Sequence, residues 1–317
     1  MQQIKLDEWK RQEDTVLVIS KNGVIKSDCI LKEGESVNIT NKSQTEGYKK
    51  KLEKDSKVIE LSEYFNLTDG DYFHLIYKYY FPLMEKLQSK KEGNTSNIHI
   101  VRFIKLATHV TFGGRLFDDN RNEIKKSSLA KIWDVKNRSS INETYNLLKE
   151  CGYITETDEG YLMISKDLVT KGAMDYLKKA KRQDKYLTYT RVFSKNIQHI
   201  YNNTKPAKRK HLATLFKALP YINYKYNIFC SNPTETDRDK LQLLTWTELA
   251  RLCGYEDDKN IKKFKKDLWD LDFYGHALIG QFSTKYGYCI TVNPKVYYGG
   301  NDIEDLKYLN EIFTVVK

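Results

Sequence analysis

The feature that most constrains this chain is an internal repeat of apolar spacing. Three apolar positions recur along the sequence in the same pattern: Leu129, Ile141 and Leu148, and again Leu249, Ile261 and Leu268. The first two positions are 141 − 129 = 12 residues apart in one copy and 261 − 249 = 12 in the other, and the first and third are 19 apart in both. Equal spacing through two predicted helices and a turn indicates that one helical pair is packed twice.

Composition limits the class of protein. At 317 residues the chain is long enough for two or three compact units, and 40% hydrophobic with 30% charged residues suits a soluble globular protein. A net charge of +11 favours a polyanionic partner. We see no apolar run of the roughly 18 residues that cross a bilayer, and no signal-peptide core at the N-terminus, so we expect a cytoplasmic protein without a membrane partner.

The residue patterns of common enzymes and metal sites are missing from the sequence. Five scattered cysteines without a C-x-x-C pair favour neither disulfides nor zinc. There is no phosphate-binding G-x-x-x-x-G-K-[ST] loop and no His-apolar-His pair for the metal of a nicking enzyme. His99 and Arg102 match an H-x-x-R fragment of tyrosine recombinases without the nucleophilic tyrosine, and a core helix explains them better. We expect no enzyme, no catalytic residue, no metal and no cofactor.

The first copy predicts a helix–turn–helix followed by a hairpin. Ser127 or Ser128 can cap a short helix ending near Trp133, and a second helix runs from about Ser139 to Cys151, with Gly152 as its C-terminal stop. Two short strands around a turn at residues 157–160 then form a wing, and in such a fold the second helix enters the major groove. The polar positions able to reach bases or phosphates are Lys136, Asn137, Arg138, Ser139, Ser140 and Asn142.

The second copy carries a more basic predicted recognition helix. Thr247 is expected to cap the first helix, residues 254–257 to turn, and residues 259–270 to form the second helix. Its predicted wing pairs residues 276–279 with 288–292. The candidate DNA contacts are Lys259, Asn260, Lys262, Lys263 and Lys266 on the helix and Lys285 at the wing tip. The corresponding helix of the first copy is less basic and is expected to expose Glu143 and Glu150, which would repel phosphates. For this copy both DNA and a protein therefore stay open as the binding partner.

The remaining segments complete a predicted division into residues 1–96, 97–173, 174–205 and 206–317. The first contains a hairpin around Asn22-Gly23 and an aromatic helix over Leu75–Phe81. The third is a basic helical connector, and the fourth closes with an amphipathic helix from Ile303 to Val316. This helix is expected to pack on its own domain, with a homodimer contact as the alternative, and the tyrosine-rich helix is a second candidate for dimerisation.

The closing segment of the second copy, YGYCITVNPKVYYGG from Tyr286 to Gly300, resembles that of winged-helix proteins of Firmicute plasmids and phages. In those proteins a wing strand ends in an Asn-Pro or similar turn, followed by aromatic residues and glycine. The first copy ends in a looser version without Asn-Pro. The arrangement of two winged helices also resembles plasmid initiators that bind repeated origin sequences. The resemblance extends over about residues 98–300 and implies a DNA-binding protein of a mobile element.

The sequence therefore predicts a mostly α protein with small β-hairpins, an α+β chain in which two tandem winged helix-turn-helix domains follow an N-terminal α+β region. The leading hypothesis is a sequence-specific double-stranded DNA-binding protein that regulates or represses transcription. One alternative is a replication initiator that binds origin repeats. Another is a segregation or adaptor protein, in which one winged helix binds a host replication or segregation protein.

Overall fold

The structure is a computed structural model that describes residues 11–12, 15–19, 25–30, 72–76, 95–171, 189–284, 287–300 and 303–315. The chain divides into two compact units, Met1–Ser56 and Lys57–Lys317. In the first unit β1 (Arg11–Gln12), β2 (Thr15–Ile19) and β3 (Ile25–Ile30) form an antiparallel sheet. The pairing of β2 with β3 confirms the predicted hairpin. Its Asn22-Gly23 turn lies outside the described residues.

The second unit is a mixed α+β structure, as predicted for the chain. Its helices, numbered along the chain, are α1 (Thr95–Ala107), α2 (Leu129–Ile132), α3 (Arg138–Glu150), α4 (Ser194–Asn203), α5 (Leu212–Ala218), α6 (Trp246–Leu252), α7 (Asp258–Trp269) and α8 (Ile303–Val315). Its strands are β4 (Tyr72–Ile76), β5 (Ile154–Glu156), β6 (Leu162–Ile164), β7 (Val169–Thr170), β8 (Tyr189–Phe193), β9 (Asp272–Phe273), β10 (His276–Ala277), β11 (Ile279–Thr284) and β12 (Gly287–Val292). Small antiparallel sheets join these strands.

The same order of elements occurs twice, in repeat 1 (residues 95–164) and repeat 2 (residues 212–292). Each has a first helix, an extended segment, a helix–turn–helix and a hairpin. In repeat 1 Arg115 of the extended segment bridges Met163 on the outgoing hairpin strand, and in repeat 2 Ile228 bridges Thr291 in the same way. The hairpins are β5–β6 and β11–β12.

A three-stranded sheet, in the order β7–β4–β8, corrects two predictions of helix. Leu75 and Ile76 belong to strand β4 rather than to an aromatic helix; Tyr77–Phe81 lie outside the described residues. Within the predicted helical connector, Tyr189–Phe193 form strand β8 of the same sheet and lead into α4, and residues 174–188 lie outside the described residues. Aromatic and β-branched residues favour a strand once partners are present on both sides, and those partners are far away in sequence.

Repeat 2 differs from its prediction at both ends. Thr245, rather than Thr247, caps α6, because its side chain accepts from the amide of Glu248 while the Glu248 carboxylate accepts from the amide of Thr245. The wing strand is β11, not residues 276–279. His276 and Ala277 pair instead with β9 around Tyr274 and Gly275, whose φ angles of +52° and +77° make a separate tight turn.

The two repeats share one hydrophobic core. The first helices α1 and α5 pack together, and a continuous cluster includes Phe103, Trp133, Leu215 and Phe264 from the two repeats. The terminal helix α8 buries Leu306, Leu309 and Phe313, as predicted for a helix that packs on its own unit. The repeats are therefore fused and not joined by a flexible tether.

Arg209 links the turn of repeat 1 to the start of repeat 2. Its guanidinium donates to the carbonyl oxygens of Tyr201 and Trp133 at 3.2 Å each, and to the Asp134 carboxylate at 2.8 Å. The Tyr201 hydroxyl donates to the same Trp133 carbonyl at 2.6 Å. Arg209 is buried, whereas the Asp134 side chain is 69% exposed.

The two halves of this ion pair are expected to differ in their contribution to stability. Arg209→Met removes the side-chain donor to the Tyr201 carbonyl and one of the two donors to the Trp133 carbonyl, which costs about 1–3 kcal/mol. Asp134→Asn removes an exposed carboxylate, which costs less than about 1 kcal/mol, and asparagine tolerates the φ of +48° at this position. Urea unfolding of both variants measures the difference. Equal destabilisation would contradict this account of Arg209.

Candidate nucleic-acid interface

The helix–turn–helix is built the same way in both repeats. Asn137 caps α3 by accepting from the Ser140 amide, and Asp257 caps α7 by accepting from the Asn260 amide. In the turn before each cap one residue has a left-handed backbone: Asp134 at φ +48° in repeat 1 and Gly254 at φ +83° in repeat 2. Each of these four positions lies 120 residues from its counterpart (257 − 137 = 254 − 134 = 120).

The inner faces of the paired helices correspond as well. The repeated apolar positions are at most 8% exposed in both copies: Leu129, Ile141 and Leu148, and Leu249, Ile261 and Leu268. Burial of one face leaves the opposite face of α3 and of α7 for polar side chains. The repeat seen in the sequence is thus a repeat of backbone geometry and of packing.

In repeat 2 the predicted contact residues form an exposed basic face on α7. Lys259, Lys262 and Lys266 are exposed and Lys263 is half-buried. Among the described residues no carboxylate lies within ion-pair distance of these lysines. Asn260 is exposed, but its side-chain amide donates to Asp257 within the cap. The four lysine charges are therefore available to an anionic partner.

In repeat 1 the predicted residues are less uniform. Five are exposed at the start of α3: Lys136, Asn137, Arg138, Ser139 and Asn142. Ser140 is half-buried, and its hydroxyl accepts from Arg102 at 2.9 Å, so this side chain serves the protein interior. The Asn137 amide oxygen is occupied by the cap.

Arg102 positions the start of α3. It is only 5% exposed and also donates to the Ser140 carbonyl at 2.8 Å and to the Thr144 hydroxyl at 2.6 Å. Burial lowers the pKa of this guanidinium from its ordinary value. His99 contacts the same Thr144 hydroxyl at 2.9 Å. The H-x-x-R fragment thus belongs to a core helix that orients α3.

A cleft of about 590 Å³ beside the start of α3 brings basic residues of different segments together. Its walls include Lys136 and Asn137 of the repeat 1 turn and Lys210 from the short helical turn before α5. Lys205 and Lys208 on the same turn are exposed. The structure therefore adds a basic segment of distant sequence to the weaker of the two predicted interfaces.

The two hairpins differ in charge and length. The tip of β5–β6 exposes Asp158 and Glu159, and Glu156 of β5 pairs with Lys149 of α3 at 2.6 Å. The β11–β12 hairpin has longer strands, and exposes Tyr288. Lys285, the predicted wing-tip contact, lies outside the described residues. An acidic tip repels phosphates, so the two repeats are unequal partners for a nucleic acid.

Three exposed or half-exposed side chains on or beside α7 are not among the contacts predicted from the sequence: Lys265, Trp246 and Trp269. The two indole rings meet edge to face with centroids 6.0 Å apart, and Lys265 lies 5.4 Å from the Trp246 ring. From the sequence, only the spacing of Lys262, Lys266 and Trp269 indicates that Trp269 lies beside the lysines, because positions three and four residues apart share a helical face.

Among the described residues no group of three His, Cys, Asp or Glu side chains is arranged to hold a metal ion. The helices described by the structure are all too short or too polar to cross a membrane. The cysteines with described side chains, Cys151, Cys230, Cys253 and Cys289, are free thiols. Comparison with protein-family models, with curated proteins and with solved structures finds no match for this chain.

Proposed function

We propose that this chain is a sequence-specific double-stranded DNA-binding protein built on two tandem winged helices. The observation that carries the proposal is the exposed lysine face of α7, the capped second helix of the helix–turn–helix in repeat 2. Lysines on the second helix of such a unit can bind phosphates on either side of the major groove while the start of the helix meets base edges. In each repeat a hairpin, β5–β6 or β11–β12, follows the helix–turn–helix along the chain, and this order supports the proposal.

Repeat 2 is the main DNA-binding module in this proposal. Its helix α7 carries five lysines, whereas in repeat 1 Lys136 precedes α3, Arg138 begins it, and the hairpin has an acidic tip. Repeat 1 then adds a second, weaker half-site. The alternative adaptor function assigns this repeat to a host replication or segregation protein, and the acidic tip is the observation that favours it.

The shared core of the two repeats predicts a fixed spacing between the two half-sites on the DNA. Because α1, α5 and Arg209 hold the repeats together, the distance between their half-sites cannot adjust as it could with a flexible connector. A rigid reader requires one spacing. Inserting a full helical turn of about 10 base pairs restores the rotational phase but increases the separation of the half-sites by roughly 34 Å.

The first experiment is selection of bound duplex fragments from the genetic element that encodes the protein, followed by insertion of 5 or 10 base pairs between half-sites. We expect one motif in pairs of constant spacing, and both insertions should reduce affinity to that of a single half-site. Recovery of full affinity at 10 base pairs would contradict the rigid arrangement. Failure to enrich any duplex would refute the proposed function.

The location of the selected sites separates the biological roles. An inverted repeat overlapping a promoter supports the transcriptional regulator or repressor of a phage or plasmid, which we propose first. An array of direct repeats beside an AT-rich tract supports the replication initiator. The adaptor function predicts capture of a host replication or segregation protein that is lost when the start of α3 is altered, for instance by Arg138→Glu.

A further inference from the structure

The basic face of α7 continues into an exposed aromatic surface. Trp269 is the last residue of α7 and is 50% exposed. Lys262, Lys265 and Lys266 precede it by seven, four and three positions, so all four side chains lie on neighbouring parts of one exposed face. An exposed tryptophan at the end of a lysine stripe is not needed for phosphate binding, which requires only positive charge and hydrogen-bond donors.

The aromatic surface extends from α7 to the start of α6. Trp246, the first residue of α6, is half-buried and meets Trp269 edge to face, with centroids 6.0 Å apart and planes at 68°. Its indole nitrogen donates to the Gln281 side chain at 2.9 Å, which ties the ring to strand β11. Trp246 is therefore held in place by Gln281 and packs against the ring of Trp269.

The hairpin adds a third ring. Gln281 pairs with Ile290 and Ser283 pairs with Tyr288 in the β11–β12 register. Residues two apart on a strand, and residues opposite each other on paired strands, share one face of the sheet. Tyr288 therefore stands on the face where Gln281 meets Trp246, and it is 68% exposed. We call Trp246, Trp269 and Tyr288 the aromatic platform.

The chemistry of the platform discriminates between classes of partner. Protein–protein interfaces are enriched in aromatic residues but depleted in lysine, and this surface carries both. In an intact duplex the faces of the bases stack on one another and are closed to a protein ring. In a single strand those faces are open, and proteins bind them by combining aromatic rings with positive charge along the backbone.

We propose that the aromatic platform, with Lys262, Lys265 and Lys266, binds the unpaired bases of single-stranded DNA. The inference rests on the proposed function, because the same helix α7 is assigned to duplex DNA. It deepens that function: the lysine face holds the duplex, and the platform takes bases that leave the stack at its edge. Such a site serves a protein that opens its target, and so favours the replication initiator over the repressor.

The test measures binding of the full chain to a fluorescent oligothymidine of about 15 nucleotides and to a hairpin-closed duplex. Trp269→Ala and Tyr288→Ala are compared with Tyr308→Ala, a control that removes a 65% exposed tyrosine from α8. Each platform variant is expected to weaken single-strand binding on the order of 5- to 100-fold while leaving duplex affinity within about twofold. Tyr308→Ala should bind both ligands like the unaltered protein.

Tryptophan emission provides a second measurement that a loss of folding would not imitate. Oligothymidine should quench part of the emission of the unaltered protein, and Trp269→Ala should remove most of that quenching. Single-strand binding that is unchanged in both platform variants would overturn the proposal, as would an equal loss of duplex affinity. If the unaltered chain binds duplex but no oligothymidine, the proposal fails while the proposed function stands.

Discussion

Replacing Lys262, Lys263 and Lys266 together by alanine is expected to weaken duplex binding on the order of 10²–10³-fold at 0.1 M salt. Each lysine–phosphate contact releases about 0.9 counterion, so three contacts supply roughly 2.7 powers of ten at this salt concentration. For the same reason the slope of log K against log salt should become shallower by about 2.7. Fluorescence anisotropy with the selected duplex at several salt concentrations measures both quantities.

The matched control removes the same charge from another part of repeat 2 and from the terminal helix. Lys225→Ala/Lys240→Ala/Lys307→Ala takes three lysines from outside α7, two of them in exposed ion pairs with Asp237 and Glu304. This variant should lose less than about fivefold in affinity, since only the long-range field changes. Should the α7 variant bind as tightly as the unaltered chain, the assignment of α7 is wrong.

Acidification is expected to destabilise the second unit through His74. This side chain is 1% exposed in strand β4 and lies between Tyr72 and Tyr189, with ring centroids 5.4 Å away on each side. Burial, and secondarily the neighbouring Arg191 cation, lowers the pKa of His74 to about 3. An imidazole that resists protonation in the folded protein accepts a proton readily in the unfolded chain.

The sign of the pH effect follows from proton counts. Between about pH 6.5 and pH 3 the unfolded chain binds more protons at this residue than the folded protein, so the free energy of unfolding rises with pH. The contribution of neutral His74 is complete above the unfolded pKa of about 6.5 and falls by about 1.4 kcal/mol for each pH unit well below it. By pH 5 the loss amounts to about 2 kcal/mol.

His74→Phe should flatten this dependence, because phenylalanine preserves the aromatic packing without a titrating nitrogen. Urea unfolding between pH 4.5 and 7.5 provides the comparison. A residual slope is expected from His109, whose pKa is also lowered by burial. His276→Phe, at a half-exposed histidine of β10, should retain the full slope, and an equal slope in both variants would show that His74 is not responsible.

The helix–turn–helix pairs could be predicted because their causes are local. Apolar residues at helical spacing, a capping residue such as Asp257 and a turn residue such as Gly254 each act within a few positions of one another. The β5–β6 hairpin is predictable for the same reason. The predicted cap of α6 lies two residues too late, because threonine at 245 and at 247 is equally suited to capping and only the reciprocal bond of Thr245 with Glu248 distinguishes the two positions.

Strand β4 could not be predicted, because its partners β7 and β8 lie far along the chain. A short aromatic run has no period that separates strand from helix, and the choice depends on hydrogen bonds made across the fold. The half-burial of Ser140 has a similar origin, since the Arg102 that holds its hydroxyl lies on another helix. The aromatic platform likewise needs α6, α7 and the β11–β12 hairpin to meet.

The repeated helical pairs, the lysine face of α7 and the α+β character of the chain are predictable from the sequence alone, because periodicity, caps and charge are properties of neighbouring residues. Only the folded protein shows that the repeats share one core, that Arg209 links them at their junction and that Trp246, Trp269 and Tyr288 lie on one surface. Those features depend on burial and hydrogen bonding between residues that only folding brings together. The predicted spacing of the DNA half-sites and the inferred single-strand site are both based on them.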